Sequence, residues 1–432
     1  MLWYFPIIPR LKRLFANEKE PKLLRWHSDD RINDGKLRHV ADSPQWRTID
    51  YMYPDFGNEI RNIRVGLSSN EINPFGNMSS RHSPKHPGNV IDVYLSPLID
   101  DLKTLWNPGV NVYDSYKKEY FDLRAMIFCT ISDFPAYGNL SGYSTKGRLA
   151  CPICEDDTSS IWLSNCRKTV YMGHRRFLPE NHDYRNRTVE FDGKIEHGKV
   201  REEFDAFSRE HLQVRHCLDV MHIEKNVCES LLGLLLNIPG KTKDGINVRK
   251  DMQEMGIREG LHPVPHPKGF FLPPAYYTMS NKEKRMFCEC LHGIKVPSSY
   301  SANIKRLVSL KDSKLLGMKS HDCHVLMTHM IPIAIRGSLP DKIRHTITKL
   351  CLFFNTIHSK VIDPQSLESL QKEIIVTLCE LEMYFPPSFF DVMVHLVIHI
   401  VREIQACGPV FLRYMYPFER YMGFLKGYVK ES

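Results

Sequence analysis

The sequence has no apolar stretch approaching the roughly 18 residues that a membrane span needs. Its longest candidate, Val392 to Ile404, is interrupted by His395, His399, Arg402 and Glu403. It also lacks a secretory start: Met1 to Arg10 is apolar before it is basic and carries Pro6 and Pro9, the reverse of a signal peptide. Cysteine is sparse, 12 in 432 residues, too few for a disulfide scaffold. Internal repeats and low-complexity segments are missing. A large charge excess is missing as well: Lys+Arg number 58 against 50 Asp+Glu, a net +8 that permits a nucleic-acid partner without demanding one. These absences argue against the secreted and membrane classes, so clustered cysteines are expected as metal ligands or buried hydrophobes of a reduced compartment. What is present, 42% hydrophobic and 25% charged residues, is globular composition, enough for two or three packed units.

Turn formers crowd the chain up to about Pro87, and short apolar pieces such as Ile63 to Leu67 read as strands between them. Leu95 to Trp106 has a helical apolar face. Ala125 to Ile131 is a nearly unbroken apolar run, the pattern of a strand buried on both faces, and Asp133 stands just past its end. From Gly138 to about Glu210 the chain is loop-like and basic, and Leu218 to Ile238 then reads as helix up to Pro239-Gly240. Residues 241–300 are expected to be a linker or insertion. In the remainder, Asp363 should cap a helix that begins at Pro364, and Ser388 to Ala406 should form an apolar core helix that ends at Gly408. The expected organisation is an α/β core over 1–240, the linker, and a helical region over 301–432.

Four constellations carry chemistry. Cys151 and Cys154 have the C-x2-C spacing that lets two thiolates bind one metal, although two reduced loop cysteines would look the same. His395 and His399 lie one helical turn apart, as metal ligands or as hydrogen-bonded core imidazoles. Joined, the two pairs make a Cys2His2 zinc set that would clamp the two halves of the chain. A metalloprotease reading needs Glu after the first His, where Leu396 stands. Acids are the third element: phosphodiester chemistry needs two or three carboxylates on paired divalent cations, and Asp133 at a strand end and Glu419 at a helix start qualify, with ordinary capping or surface acids as the alternative. The fourth is a basic, aromatic stretch with Arg167, Lys168, Arg175, Arg176, Arg185 and Arg187, suited to phosphates and base stacking, or else a solvated loop.

Several long motifs then occur in one order: Trp3 to Arg10, Asp42 to Trp46, Asn73 to Gly76, Asp133 to Gly142, Cys151 to Cys154, Tyr171 to Leu178, Leu218 to Asn226, Lys319 to Leu326 and Met415 to Arg420. In these the chain resembles the transposases of plant CACTA (En/Spm-type) DNA transposons, nearly end to end. The resemblance implies an RNase H-like mixed-sheet core with a helical insertion, a D-D-E triad and Mg2+-dependent DNA strand cleavage and joining. It makes Asp133 the second acid and Glu419 the third, gives Asp219 and His222 of an Asp-x2-His signature a supporting role, and likens the Cys-x2-Cys and His-x3-His order to the zinc arrangement of the vertebrate antigen-receptor recombinase. It further implies transposon-end DNA as partner, a nuclear location, and room for a homo-oligomer.

Two departures qualify it. Family members carry Asp-Gly where this chain has Asn70-Glu71, so the first triad position is a neutral amide that cannot bridge two cations. Glu71 would point to the opposite face of a strand. At Ser83-Pro84 a strand-rich segment usual in the family is absent, which should shorten the sheet and leave edges unpaired. Both ends also look cut. The sequence thus reads as a decayed or domesticated copy, catalytically impaired, with a non-catalytic zinc-stabilised DNA- or protein-binding module as the alternative.

Overall fold

The apolar run that begins at Ala125 becomes the middle of a sheet, because both of its faces are covered. A computed structural model describes residues 4–69, 91–196, 215–295 and 303–427. In it, strands β1 (Ile63–Ser69), β2 (Ala125–Ser132) and β3 (Arg215–Cys217) form one sheet in that order. β1 runs parallel to β2, from Ile63 opposite Ala125 to Ser69 opposite Ser132, with an irregularity between Val65 and Gly66. β3 is also parallel to β2, pairing Arg215 with Cys129 and Cys217 with Ile131. All three strands therefore end at the same edge.

A mixed sheet was expected, but among the described residues this sheet is wholly parallel. The antiparallel hairpin of Val110–Asp114 and Glu119–Leu123 stays separate, since Val112, Phe121 and Leu123 pack on Phe15 of the helix Ile7–Ala16. The turn-rich N-terminal stretch is also more helical than its composition suggested. Ser43 caps the helix Pro44–Met52 by accepting from the Trp46 N–H, and among the described residues of this stretch only the Ile63 piece forms a sheet strand. The Asn70-Glu71 and Ser83-Pro84 positions lie outside the described residues.

Helices carry the rest. α1 (Phe134–Ser141) and α2 (Val220–Leu235) each follow a strand of the sheet. α3 (Ser320–Val325), α4 (Asp341–Ile357), α5 (Pro364–Tyr384) and α6 (Tyr416–Gly427) follow. Asp363 caps α5 as expected, accepting from the Gln365 N–H, and Leu367, Ile374, Leu378 and Leu381 are buried along one stripe. The predicted Ser388–Ala406 helix is broken. A short helix, Val392–Leu396, passes through a tight 3-10 turn, Val397–His399, into a second helix, Ile400–Cys407, before Gly408 turns the chain at φ 84°.

The linker expected over 241–300 is instead part of the core where it is described. Val248, Met252, Ile257, Leu261, Tyr277, Phe287 and Leu291 belong to the same buried cluster as Cys151, α2, α4 and α5. Buried Arg258 adds a polar tie, donating to the carbonyls of Glu382 and Phe385 at the end of α5, where the helix leaves acceptors unpaired. Its Lys, Gly and Pro content misled because those residues occupy turns between buried anchors. A second cluster, with Trp46, Phe56, Phe128, Ile131, Met221 and Met415, packs around the sheet and α2. No helix among the described residues is long and apolar enough to cross a membrane.

Candidate metal centre and strand-end acids

The Cys-x2-Cys turn is held by its own backbone. The Cys154 N–H donates to the Cys151 sulfur at 3.3 Å, and the Glu155 N–H donates to the Cys151 carbonyl at 2.9 Å. Amide donation of this kind stabilises a thiolate. Opposite lie His395, at the end of its short helix, and His399, in the 3-10 turn that follows. Cys151 Sγ is 3.4 Å from His399 Nε2, and Cys154 Sγ lies 3.5 and 3.4 Å from the Nε2 atoms of His395 and His399. The two Nε2 atoms are 3.4 Å apart. Four ligands at ordinary zinc distances would have tetrahedral edges of about 3.3–3.8 Å. All four residues are buried, and their donor atoms lie within 4.8 Å of one another. The donor set therefore fits zinc in both chemistry and spacing.

The protonation states agree. Burial holds His395 down to about 4, so its imidazole is neutral at physiological pH. Burial pushes the Cys151 thiol up, while the hydrogen bond from Cys151, helped by His399 and His395, brings Cys154 down against its burial. A bound metal would favour the thiolate form of both sulfurs.

The basic stretch wraps this cluster. The Tyr171 N–H donates to the Phe390 carbonyl, and buried Glu382 of α5 accepts from the N–H groups of Gly173 and His174 and from His174 Nδ1. Here the expectation of a solvent-facing row of arginines is corrected at two positions. Arg175 is only 1% exposed, and its guanidinium is taken up by the carbonyls of Tyr184, Arg187 and Lys194 and the Asp192 carboxylate. Arg185 is 2% exposed and donates to the carbonyls of Leu178 and Arg176. Both fold the loop on itself and cannot reach a phosphate. Arg176 is half-buried, donating to the Asp157 carbonyl and approaching Cys154 Sγ at 3.7 Å, where its charge favours the thiolate. Lys168 reaches the Ser388 carbonyl, and burial lowers its ammonium. Arg167 and Arg187 remain exposed.

The acids gather at the sheet edge where the three strands end, which is where open α/β sheets place their ligands. The Asp133 N–H donates to the Ser69 carbonyl at 3.3 Å, and its carboxylate caps α1 by accepting from the Ala136 N–H at 2.9 Å. Asp219 caps α2 in the same way and also accepts from His222 Nδ1. Each stands two residues past a paired residue, Ile131 and Cys217, that face each other across β2 and β3. α6 arrives from the far end of the chain. Its entry is pinned where Ser68 Oγ meets Met415 Sδ at 3.1 Å, and Glu419 Oε1 then lies 3.3 Å from His222 Nε2. Burial would lower His222, but Asp219 and Glu419 outweigh it and raise its pKa. A cleft beside these groups is lined by Ser132, Phe134, Tyr137, Leu218, Asp219 and His222. Asp133, Asp219 and Glu419 do not form one of the compact donor sets found among the described residues. Those sets are the Cys2His2 cluster and a second one, Glu224 with His324 and His358, which no sequence spacing announced.

Two features of the edge were also invisible in sequence. The Leu218 N–H donates to buried Glu403 at 2.8 Å, and Glu403 pairs with buried Arg413. This polar pair fixes the turn that presents Asp219.

Residues 34–86 and 82–214 match the model of the transposase family tnp2, and residues 357–432 match a domain of unknown function, DUF4218. These matches support a transposase-family protein. No curated protein and no solved structure matches the chain.

Proposed function

We propose that this chain is a transposase-derived protein of the CACTA type, whose ancestral reaction was Mg2+-dependent DNA strand cleavage and transfer and whose catalysis is impaired here. The observation that carries the reading is the shared edge of three parallel strands. Asp133 follows one strand and Asp219 another, with Glu419 brought in from the C-terminal segment. In the ancestral reaction one cation would activate the attacking oxygen and the other would stabilise the leaving one. Asp133 and Glu419 would be the second and third carboxylates of that site, and Asn70 stands where the first belongs. An amide has no charge to hold the cation pair. The family match also breaks at 82–86, the place where the strand-rich segment is absent.

The same arrangement explains why two family models meet in one site. Cys151 and Cys154 lie in the transposase match, while His395, His399 and Glu419 lie in the match of unknown function. We read the C-terminal segment as the part that completes the catalytic unit, with zinc as the clamp.

Magnesium-dependent nicking of transposon-end duplexes is expected to be absent, and Asn70→Asp alone should not restore it, because the strand-rich segment usual in the family is absent as well. A gel assay on end-labelled duplexes decides this, and robust nicking by the unmodified chain would overturn the claim of impairment. The buried cluster favours a second reading, a retained binding module located in the nucleus. On that reading Arg167 and Arg187, the exposed pair, make the phosphate contacts. Replacing both with Gln should flatten the dependence of log affinity on log salt by about 2. Binding titrations at several salt concentrations measure the slope, and the same slope in the double variant would place the DNA elsewhere.

A further inference from the structure

A second compact donor set lies outside the Cys2His2 cluster among the described residues. Glu224 is on α2, two residues beyond His222, and it is 1% exposed. Its Oε2 lies 2.9 Å from His324 Nδ1 and 3.1 Å from His358 Nε2, so two imidazoles from α3 and from the end of α4 converge on one carboxylate oxygen. The two rings sit 4.6 Å apart and nearly perpendicular. The other carboxylate oxygen, Oε1, is buried with no hydrogen-bond partner. An unsatisfied buried acceptor costs about 1–3 kcal/mol.

A divalent ion accounts for both facts. Ligands at right angles around a first-row metal, each about 2.1 Å from it, are about 3.0 Å apart, the spacing observed here. The carboxylate could then use both oxygens. One further contact orients the set: the Tyr414 hydroxyl meets His358 Nδ1, the outer-sphere partner that a metal-bound imidazole usually has, and it leaves Nε2 facing Glu224. The His324 side chain is 24% exposed, so the site has a side open to solvent. Immediately after α3 the backbone widens into a π-turn, Leu326–Met330, a distortion common at functional positions.

We propose that Glu224, His324 and His358 bind a divalent transition ion as a two-histidine, one-carboxylate set, with water in the remaining positions. Manganese and ferrous iron are the matching class. The ion ties α2, which begins at Asp219 and carries His222, to α3 and α4. It thereby positions the helix of the strand-end site from behind.

Cobalt titration of the metal-free full-length chain tests this. The Cys2His2 cluster would report its cobalt through an intense thiolate charge-transfer band, and the set built on Glu224 has no thiolate. A second equivalent is expected to add weak visible absorption after any charge-transfer signal has saturated. His324→Ala should abolish that equivalent and leave the charge-transfer signal intact. Glu224→Gln should do the same, with circular dichroism confirming that each variant is folded. Should Glu224→Gln fail to fold, the more exposed His324→Ala decides, and the wild-type titration alone tests whether the site exists. Overturning outcomes are a wild-type chain that binds no thiolate-free equivalent, or such an equivalent that survives in a folded His324→Ala. Because the two signals are separate, failure of the zinc clamp and failure of this site cannot be confused.

Discussion

Stripping metal from the Cys2His2 cluster is expected to abolish cooperative unfolding of the chain. The cluster joins Cys151 and Cys154 to residues more than 240 positions away, and its four residues are part of, or packed within, the main core. Without an ion the site crowds four buried polar groups together. Structural zinc contributes about 10–16 kcal/mol of apparent binding energy in small zinc peptides. The whole stability of a folded domain is about 5–15 kcal/mol. Even a fraction of that binding energy is therefore decisive. Thermal melts followed by circular dichroism, with and without a strong chelator, should show a sharp transition replaced by a broad, low one, recoverable with added zinc. Cys154→Ser should reproduce the loss. A chelated chain that melts as before, with no zinc bound before chelation, would show that the cluster is only a packed polar core.

The second large effect belongs to Glu403 and Arg413. Both are buried, and Glu403 also accepts from the Leu218 N–H that begins the Asp219 turn. Arg413→Met leaves a buried carboxylate without its cation and should cost about 3–5 kcal/mol. Adding Glu403→Gln keeps an acceptor for Leu218 while removing the charge, so the double variant should be more stable than Arg413→Met alone. Denaturant melts of the wild type, Arg413→Met and the double variant test this, and a double variant no more stable than Arg413→Met would contradict it. A pH signature accompanies the pair. Burial raises Glu403 to about 7 from its usual 4.5, against the opposing pull of Arg413 and the Leu218 N–H. The folded chain thus holds this proton more tightly than the unfolded one. The resulting stabilisation is complete below about pH 4.5 and is lost as the pH rises through about 7. In Arg413→Met, with the cation gone, the loss should move to higher pH.

How much of this was readable in advance depended on where the signal lay. Ala125 to Ile131 announced a buried strand because a long apolar run without alternation fits few other places, and Asp133 followed from its end. The Asp363-Pro364 cap was readable from two adjacent residues. The Cys2His2 donors were readable because each half has a local spacing, although their convergence is a tertiary fact. Residues 241–300 look like a linker because turn formers dominate their composition, while the buried Tyr277, Phe287 and Leu291 between those turns carry the packing. Arg175 and Arg185 misled for a related reason: a guanidinium beside aromatics suits a base stack and a buried loop equally well, and only the carbonyls around it decide. Glu224, His324 and His358 carried no signal at all. Glu224 is 100 residues from one partner and 134 from the other, and spacing says nothing at that range.

The proposed clamp would also set a timetable for synthesis. Cys154 leaves the ribosome 241 residues before His395. At ordinary elongation rates of about 5–20 residues per second, the cysteine pair would wait roughly 10–50 s for its histidines. During that interval the thiols belong to an unfinished nascent chain, open to other metals and to oxidation. A message broken anywhere before the last helices would yield a polypeptide whose first half cannot close.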